Sequence, residues 1–171
     1  MKNSGFTLIE FSIYITIIAV ILTLIIGLLW DVILGNIKES AYQEVQENAR
    51  FALTKVSQEI KKATGVNNPN PGETANSLSL AMASSVSDPT VIDVADGKLR
   101  ITKGVSSPQE LTTDLVTVSN LQFSNLSYSD TPGTIRIEMT IEHINPANRI
   151  EYQALLTLKS TFSLVPGGAA P

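Results

Sequence analysis

The sequence predicts an α+β fold, a long N-terminal helix packed on a C-terminal antiparallel β-sheet, and three observations carry that expectation. No residue from Phe11 to Trp30 is charged, and large apolar side chains dominate the run. Beyond it Ile37, Ala41, Val45, Ala49, Ala52, Leu53, Val56, Ile60 and Ala63 recur mostly three or four apart among polar residues, the period of an amphipathic helix. Further on, short segments alternate apolar and polar residues between turn signals, most strictly at Thr134–Glu142.

At about 1.5 Å per helical residue the run Phe11–Trp30 matches the roughly 30 Å hydrocarbon core of a bilayer, so residues 6–35 read as a transmembrane helix. Glu10 heads this run, behind Phe6-Thr7-Leu8-Ile9 and a hydrophilic leader, Met1–Gly5. A carboxylate within hydrocarbon costs on the order of 2.5–3.5 kcal/mol on insertion scales, which makes Glu10 a functional candidate in need of a cationic partner. The plainer alternative places it in the first helical turn just outside the bilayer, where the helix dipole favours negative charge. Lys2 before the span and Asp31 after it suggest a cytoplasmic N-terminus and an extracytoplasmic C-terminal domain. The run is longer than the apolar core of a secretory signal peptide and has no small-x-small cleavage site after it.

The helical pattern continues through residues 36–65, with Glu47–Arg50, Lys55–Glu59 and Glu59–Lys62 spaced to pair along it. Thr64-Gly65 offers a stop, and Asn67-Asn68-Pro69-Asn70-Pro71-Gly72 reads as a linker. A helix from Phe6 to Thr64 would be about 90 Å long. Gly27 and Gly35 are its weak points, each costing roughly 1 kcal/mol against Ala, and are the candidate sites of helix flexibility.

Residues 66–164 read as a β-rich globular domain of five to seven strands in one sheet wrapped on the apolar stripe of the helix. Thr90–Ala95 and Lys98–Lys103 flank Asp96-Gly97, a strong hairpin signal. Further strands are expected at Ser77–Met82, Leu115–Val118 and Leu121–Tyr128. The last pair is Thr134–Glu142 and a long Arg149–Leu164, joined through Asn145-Pro146-Ala147-Asn148. Residues 165–171, rich in Pro, Gly and Ala, read as a disordered tail.

The chain has 171 residues and a net charge of −4. Its acidic balance argues against a basic nucleic-acid surface, so no nucleic-acid partner is expected. It contains no Cys and a single His, His143, which leaves no basis for Cys-His catalysis or a multi-His metal site. Asp88, Asp93, Asp96, Asp114 and Asp130 are scattered rather than set at a calcium-loop spacing. No catalytic residue, metal or cofactor is expected, and the chain does not read as an enzyme.

Gly5-Phe6-Thr7-Leu8-Ile9-Glu10, preceded by Lys2 and followed by the apolar run, resembles the processing site of type IV prepilins and type II secretion pseudopilins. The resemblance implies cleavage after Gly5 by prepilin peptidase, N-methylation of the new amino terminus on Phe6, and a role for Glu10 in filament assembly. It also implies partners: other pilin or pseudopilin subunits, the inner-membrane assembly platform, and the lipid bilayer before assembly. The location implied is the inner membrane, then a pilus or pseudopilus. The segment from Asn48 to Ala63 looks, much more loosely, like J-type minor pseudopilins and the related W-type minor pilins. Two features depart from many major pilins, the missing C-terminal disulfide loop and the missing Pro in the apolar half. The expectation is therefore a minor structural subunit. The alternatives are a filament-tip adhesin or DNA-uptake pilin, or a single-pass membrane protein with an extracytoplasmic binding domain.

Overall fold

One helix, α1, runs without interruption from Leu8 to Lys62 in the computed structural model, which describes residues 7–128 and 133–165. Its 55 residues make a rod about 80 Å long. The leader Met1–Gly5, Phe6, residues 129–132 of the predicted loop Ser129–Gly133, and residues 166–171 of the predicted tail lie outside the described residues.

The ends of α1 differ from expectation. Thr7, expected within the helix, is extended (φ −84°, ψ 150°), so α1 starts at Leu8. At the other end the helix stops at Lys62 and not in the Thr64-Gly65 region. Ala63 is already extended, while its N–H still donates to the carbonyls of Glu59 and Ile60. No glycine cap is used. The chain turns directly into strand β1, Ala63–Asn68, whose pairing with β3, Leu78–Met82, satisfies the backbone that a longer helix would have used. Of the predicted linker, Asn67 and Asn68 are therefore held in strand β1. Its remainder is anchored by buried Asn125, whose Nδ2 donates to the Pro69 carbonyl at 2.8 Å.

Seven more elements complete the domain: β2 (Thr74–Ala75), β4 (Thr90–Ala95), β5 (Lys98–Lys103), β6 (Gln109–Glu110), β7 (Val116–Asn125), β8 (Thr134–His143) and β9 (Leu155–Ser163). They form two antiparallel sheets rather than the single sheet expected, in the orders β1-β3-β4-β5-β6 and β2-β7-β8-β9. The β4–β5 hairpin is as predicted. Ala95 pairs with Lys98, and Asp96 and Gly97 both have positive φ (53° and 74°), the two-residue turn that matches strand twist.

The segments expected as separate strands at Leu115–Val118 and Leu121–Tyr128 are one strand, β7. Val118 pairs with Ile141 and Asn120 with Thr140, which leaves Ser119 as an extra residue in a β-bulge. The bulge shifts the side-chain phase, so Val116 and Val118 are buried before it and Leu121 and Phe123 after it. That shift is why the alternation looks broken in the sequence. β9 begins at Leu155, six residues later than expected. Asn145 closes the preceding loop by donating from Nδ2 to the Arg149 carbonyl and accepting from the Arg149 N–H. A 3-10 turn at Ile150–Tyr152 then keeps the chain off the ladder.

The core lies between the second half of α1 and the sheets. From the helix it takes Ala41, Val45, Ala49, Ala52, Val56 and Ile60, and from the strands it takes Leu78, Leu80, Ile92, Leu99, Phe123 and the buried face of β8, Ile135, Ile137, Met139 and Ile141. The small side chains on the helix, four alanines and two valines among them with Ala63, let the strands approach closely.

Candidate functional site

Thr7 caps α1. Its Oγ1 accepts a hydrogen bond from the Glu10 N–H at 3.3 Å, which satisfies one of the donors that a helix start leaves open. Thr7-Leu8-Ile9-Glu10 thus has the spacing of a capping box with Glu10 at its third helical position. The reciprocal half is not made: the Glu10 carboxylate has no hydrogen bond or ion pair among the described residues. It is exposed in the first turn, where the positive end of the helix dipole favours an anion by about 0.3–1 kcal/mol. Thr7 is the one residue of this site that sequence reasoning passed over, although the Thr-x-x-Glu spacing was there to be read.

Behind Glu10 every residue from Leu8 to Asn36 is exposed. Among the described residues nothing covers Phe11–Trp30, and the helix is long and apolar enough to cross a membrane. Its hydroxyls are adapted to an apolar surrounding, since Thr16 and Thr23 each donate to the carbonyl four residues back, Ser12 and Ala19, at 2.8 Å. Apolar surface on this scale needs either lipid or neighbouring subunits. Gly27 and Gly35 lie on this exposed rod. The helix is continuous through both, and a Cβ at either would meet nothing within 4 Å.

The second half of α1 is bound to the domain at successive heights. Near its start, Tyr42 lines an open cleft of about 690 Å³ with residues of the β8–β9 connection, among them His143 and Tyr152. One turn to two turns further, Asn48 Oδ1 accepts the Thr113 N–H at 2.9 Å while its Nδ2 donates to the Glu44 carbonyl and to Glu44 Oε1. Near its end, Glu59 accepts from Lys103 Nζ on β5 at 2.8 Å and lies 3.8 Å from Lys62. Of the intrahelical pairs expected, Glu59–Lys62 forms, whereas Lys55 lies over the Phe51 ring.

Of the polar residues of the β domain that the sequence singled out, His143, Asp88, Asp93 and Asp114 have structural partners, and Asp130 lies outside the described residues. His143 stacks on Tyr152, and its Nδ1 donates to the Ile144 carbonyl at 2.9 Å. Asp93 holds Arg100 through two bonds of 3.1 and 2.8 Å, Asp88 accepts the Met82 N–H, and Asp114 pairs with Lys98. Hydrogen bonding to Asp114 and Glu110 raises the Lys98 ammonium above the usual lysine range. The Asp93 carboxylate does the same for Arg100. Among the described residues no three His, Cys, Asp or Glu side chains gather as a metal site.

Residues 1–26 match the family model described as the prokaryotic N-terminal methylation motif. The matched segment contains Gly5, Phe6, Thr7 and Glu10 and the exposed apolar helix as far as Ile26. No curated protein and no solved structure matches the chain.

Proposed function

We propose that this chain, whose N-terminal segment is that of the type IV pilin and pseudopilin family and supports processing by prepilin peptidase, is a minor structural subunit of a type IV pilus or type II secretion filament, without catalytic activity of its own. The observation that carries the reading is the exposed Glu10 carboxylate, without a partner among the described residues, at the head of an apolar helix that none of those residues covers.

Cleavage after Gly5 frees an α-amino group on Phe6, a cation in the same layer as Glu10. Within one chain that amine and the carboxylate are four residues apart in sequence, whereas in a packed filament the amine of one subunit meets the carboxylate of its neighbour. Such a pair adds little net stability in a low dielectric, but leaving either charge alone is strongly unfavourable, so it fixes the register of packed helices. Before assembly the helix spans the inner membrane, N-terminus inside, with the domain outside. Gly27 and Gly35 supply the places where the rod bends on packing. The absence of cysteine, and with it of a disulfide-closed C-terminal region, favours a minor subunit over a major one.

The reading is tested in a host carrying the peptidase and a filament system. Intact mass of the membrane-extracted protein should show loss of Met1–Gly5 and gain of one methyl group. Glu10→Gln and Glu10→Ala should be processed like the wild type yet enter filaments poorly. Wild-type incorporation of both variants, or retention of the leader, would sink the proposal.

A further inference from the structure

We propose that a second copy of this chain docks on the solvent face of the second half of α1, offset by one helical turn, so that Arg50 of one copy pairs with Glu47 of the next. This rests on the filament reading and adds to it a second register point, far along the rod from Glu10.

That face carries charges which the chain leaves unspent. Glu47 and Arg50 are exposed and three residues apart, a spacing expected to pair, yet neither side chain has an ion pair or hydrogen bond among the described residues. They occupy different edges of the exposed face. Arg50 is two residues past Asn48 and so stands about 160° round the helix from the side that binds Thr113. Glu47 lies nearer that side, where it lines a cleft of about 350 Å³ with Phe51 and the β6–β7 connection. Two other carboxylates reach this cleft but are held within the chain, Glu44 by Asn48 and Thr113, and Glu110 by Lys98. Phe51 is 49% exposed, with Lys55 over its ring, and gives the cleft apolar surface on which an arginine stem can lie. One edge of the helix thus offers a guanidinium and the other an anion beside apolar surface. That is the complementarity of a head-to-tail contact, which repeats from copy to copy into a filament.

The anchor sets orientation and register. Helices that leave one bilayer on the same side are parallel, so an antiparallel pairing of these charges is closed to them. Parallel copies without an offset place Glu47 beside Glu47 and Arg50 beside Arg50. An offset of three to four residues, about 5 Å along the axis, sets Arg50 of the lower copy level with Glu47 of the upper. The same offset in the same sense sets Glu10 of the lower copy level with Phe6 of the upper. The two points lie about 60 Å apart on the rod and together hold neighbouring helices parallel. From Lys38 to Lys62 this register brings one like pair level, Glu47 with Glu44, whose carboxylate is already engaged. Taking the face out of water without the Arg50–Glu47 pairing would strand both charges, which is strongly unfavourable.

The chain has no Cys, so two tagged full-length copies, one Glu47→Cys and one Arg50→Cys, report the contact by disulfide formation in a host carrying the peptidase and a filament system. The mixed pair removes both charges of the contact at once, so neither is left alone. On mild oxidation it should give at least about fivefold more dimer than two copies of either single variant, because level residues on packed helices bring their Cα atoms within disulfide reach. Glu47→Arg and Arg50→Glu should each lower the share of chain in sheared filaments about tenfold, and the double variant should restore it to within about twofold of wild type. If the wild type enters filaments but the mixed dimer or the rescue is absent, this contact is overturned and the filament reading stands. A wild type that stays out of filaments overturns both.

Discussion

The Glu59 carboxylate, only 8% exposed, accepts a 2.8 Å hydrogen bond from Lys103 Nζ and so ties the last turns of the helix to the five-stranded sheet. Removing the lysine leaves a buried anion with only the distant Lys62 at 3.8 Å. Breaking a fully buried pair costs about 3–5 kcal/mol, but Lys103 is itself 39% exposed and water reaches it. Lys103→Met should therefore destabilise the domain by about 1–2 kcal/mol, and Glu59→Gln by less, since an amide needs no counter-charge. Urea unfolding of the full chain in detergent, followed by circular dichroism, checks the order of the two variants. A Glu59→Gln more damaging than Lys103→Met would mean that the charge itself, not its burial, matters.

Asn48 makes a second tie, accepting from Thr113 N–H and donating twice to Glu44. Asn48→Ala strands the Thr113 N–H and should cost about 1–2 kcal/mol. Asn48→Asp keeps the acceptor for Thr113 but replaces the donor facing Glu44 with a second carboxylate. It should be at least as harmful at neutral pH and should recover as the pH falls. Stability at two pH values separates lost geometry from repulsion.

These ties mark the limit of what the sequence reveals. The helix, its buried stripe, the Asp96-Gly97 hairpin and β8 were all legible because each declares itself through local periodicity or a turn dipeptide. The join of β7 was not, because the extra residue Ser119 reverses the alternation and imitates a strand end. The division into two sheets was hidden too, since β2 and β6 are two residues each and are formed only by their partners. At the N-terminus, the methylation motif matched by residues 1–26 was readable from a short contiguous pattern. Glu59–Lys103 and Asn48–Thr113 join residues 44 and 65 positions apart, which no local pattern encodes.

Lys98 bridges Asp114 and Glu110, with Nζ 2.9 Å from Glu110 Oε2. Its folded pKa is raised, first by the hydrogen bond to Asp114 and then by that to Glu110. A raised lysine contributes stability in full below its unfolded pKa and loses it as pH climbs through the higher folded value. Lys98→Met should therefore lower the urea midpoint at neutral pH, and its difference from wild type should shrink at strongly alkaline pH. A difference that stays constant with pH would mean that the aliphatic stem, not the ammonium, makes the contribution.

Gly97 supplies the last prediction. Its φ of +74° is a conformation that L-residues adopt at a cost of about 1–2 kcal/mol, and a Cβ there would also overlap Thr117 Oγ1 on β7. The Gly97 carbonyl accepts the Val118 N–H at 2.7 Å, so the hairpin tip cannot move away without releasing β7. Gly97→Ala should cost about 2–4 kcal/mol, the sum of strain and overpacking. Adding Thr117→Ala removes the overlap and should return about half of that loss, leaving the backbone strain. Gly104→Ala is the contrast, because its Cβ would meet the backbone carbonyl of Val86, which no side-chain deletion relieves. Double-mutant unfolding measurements decide the matter: if Thr117→Ala gives no rescue of Gly97→Ala, the close approach of hairpin and β7 is not what demands glycine, and the positive φ alone accounts for it.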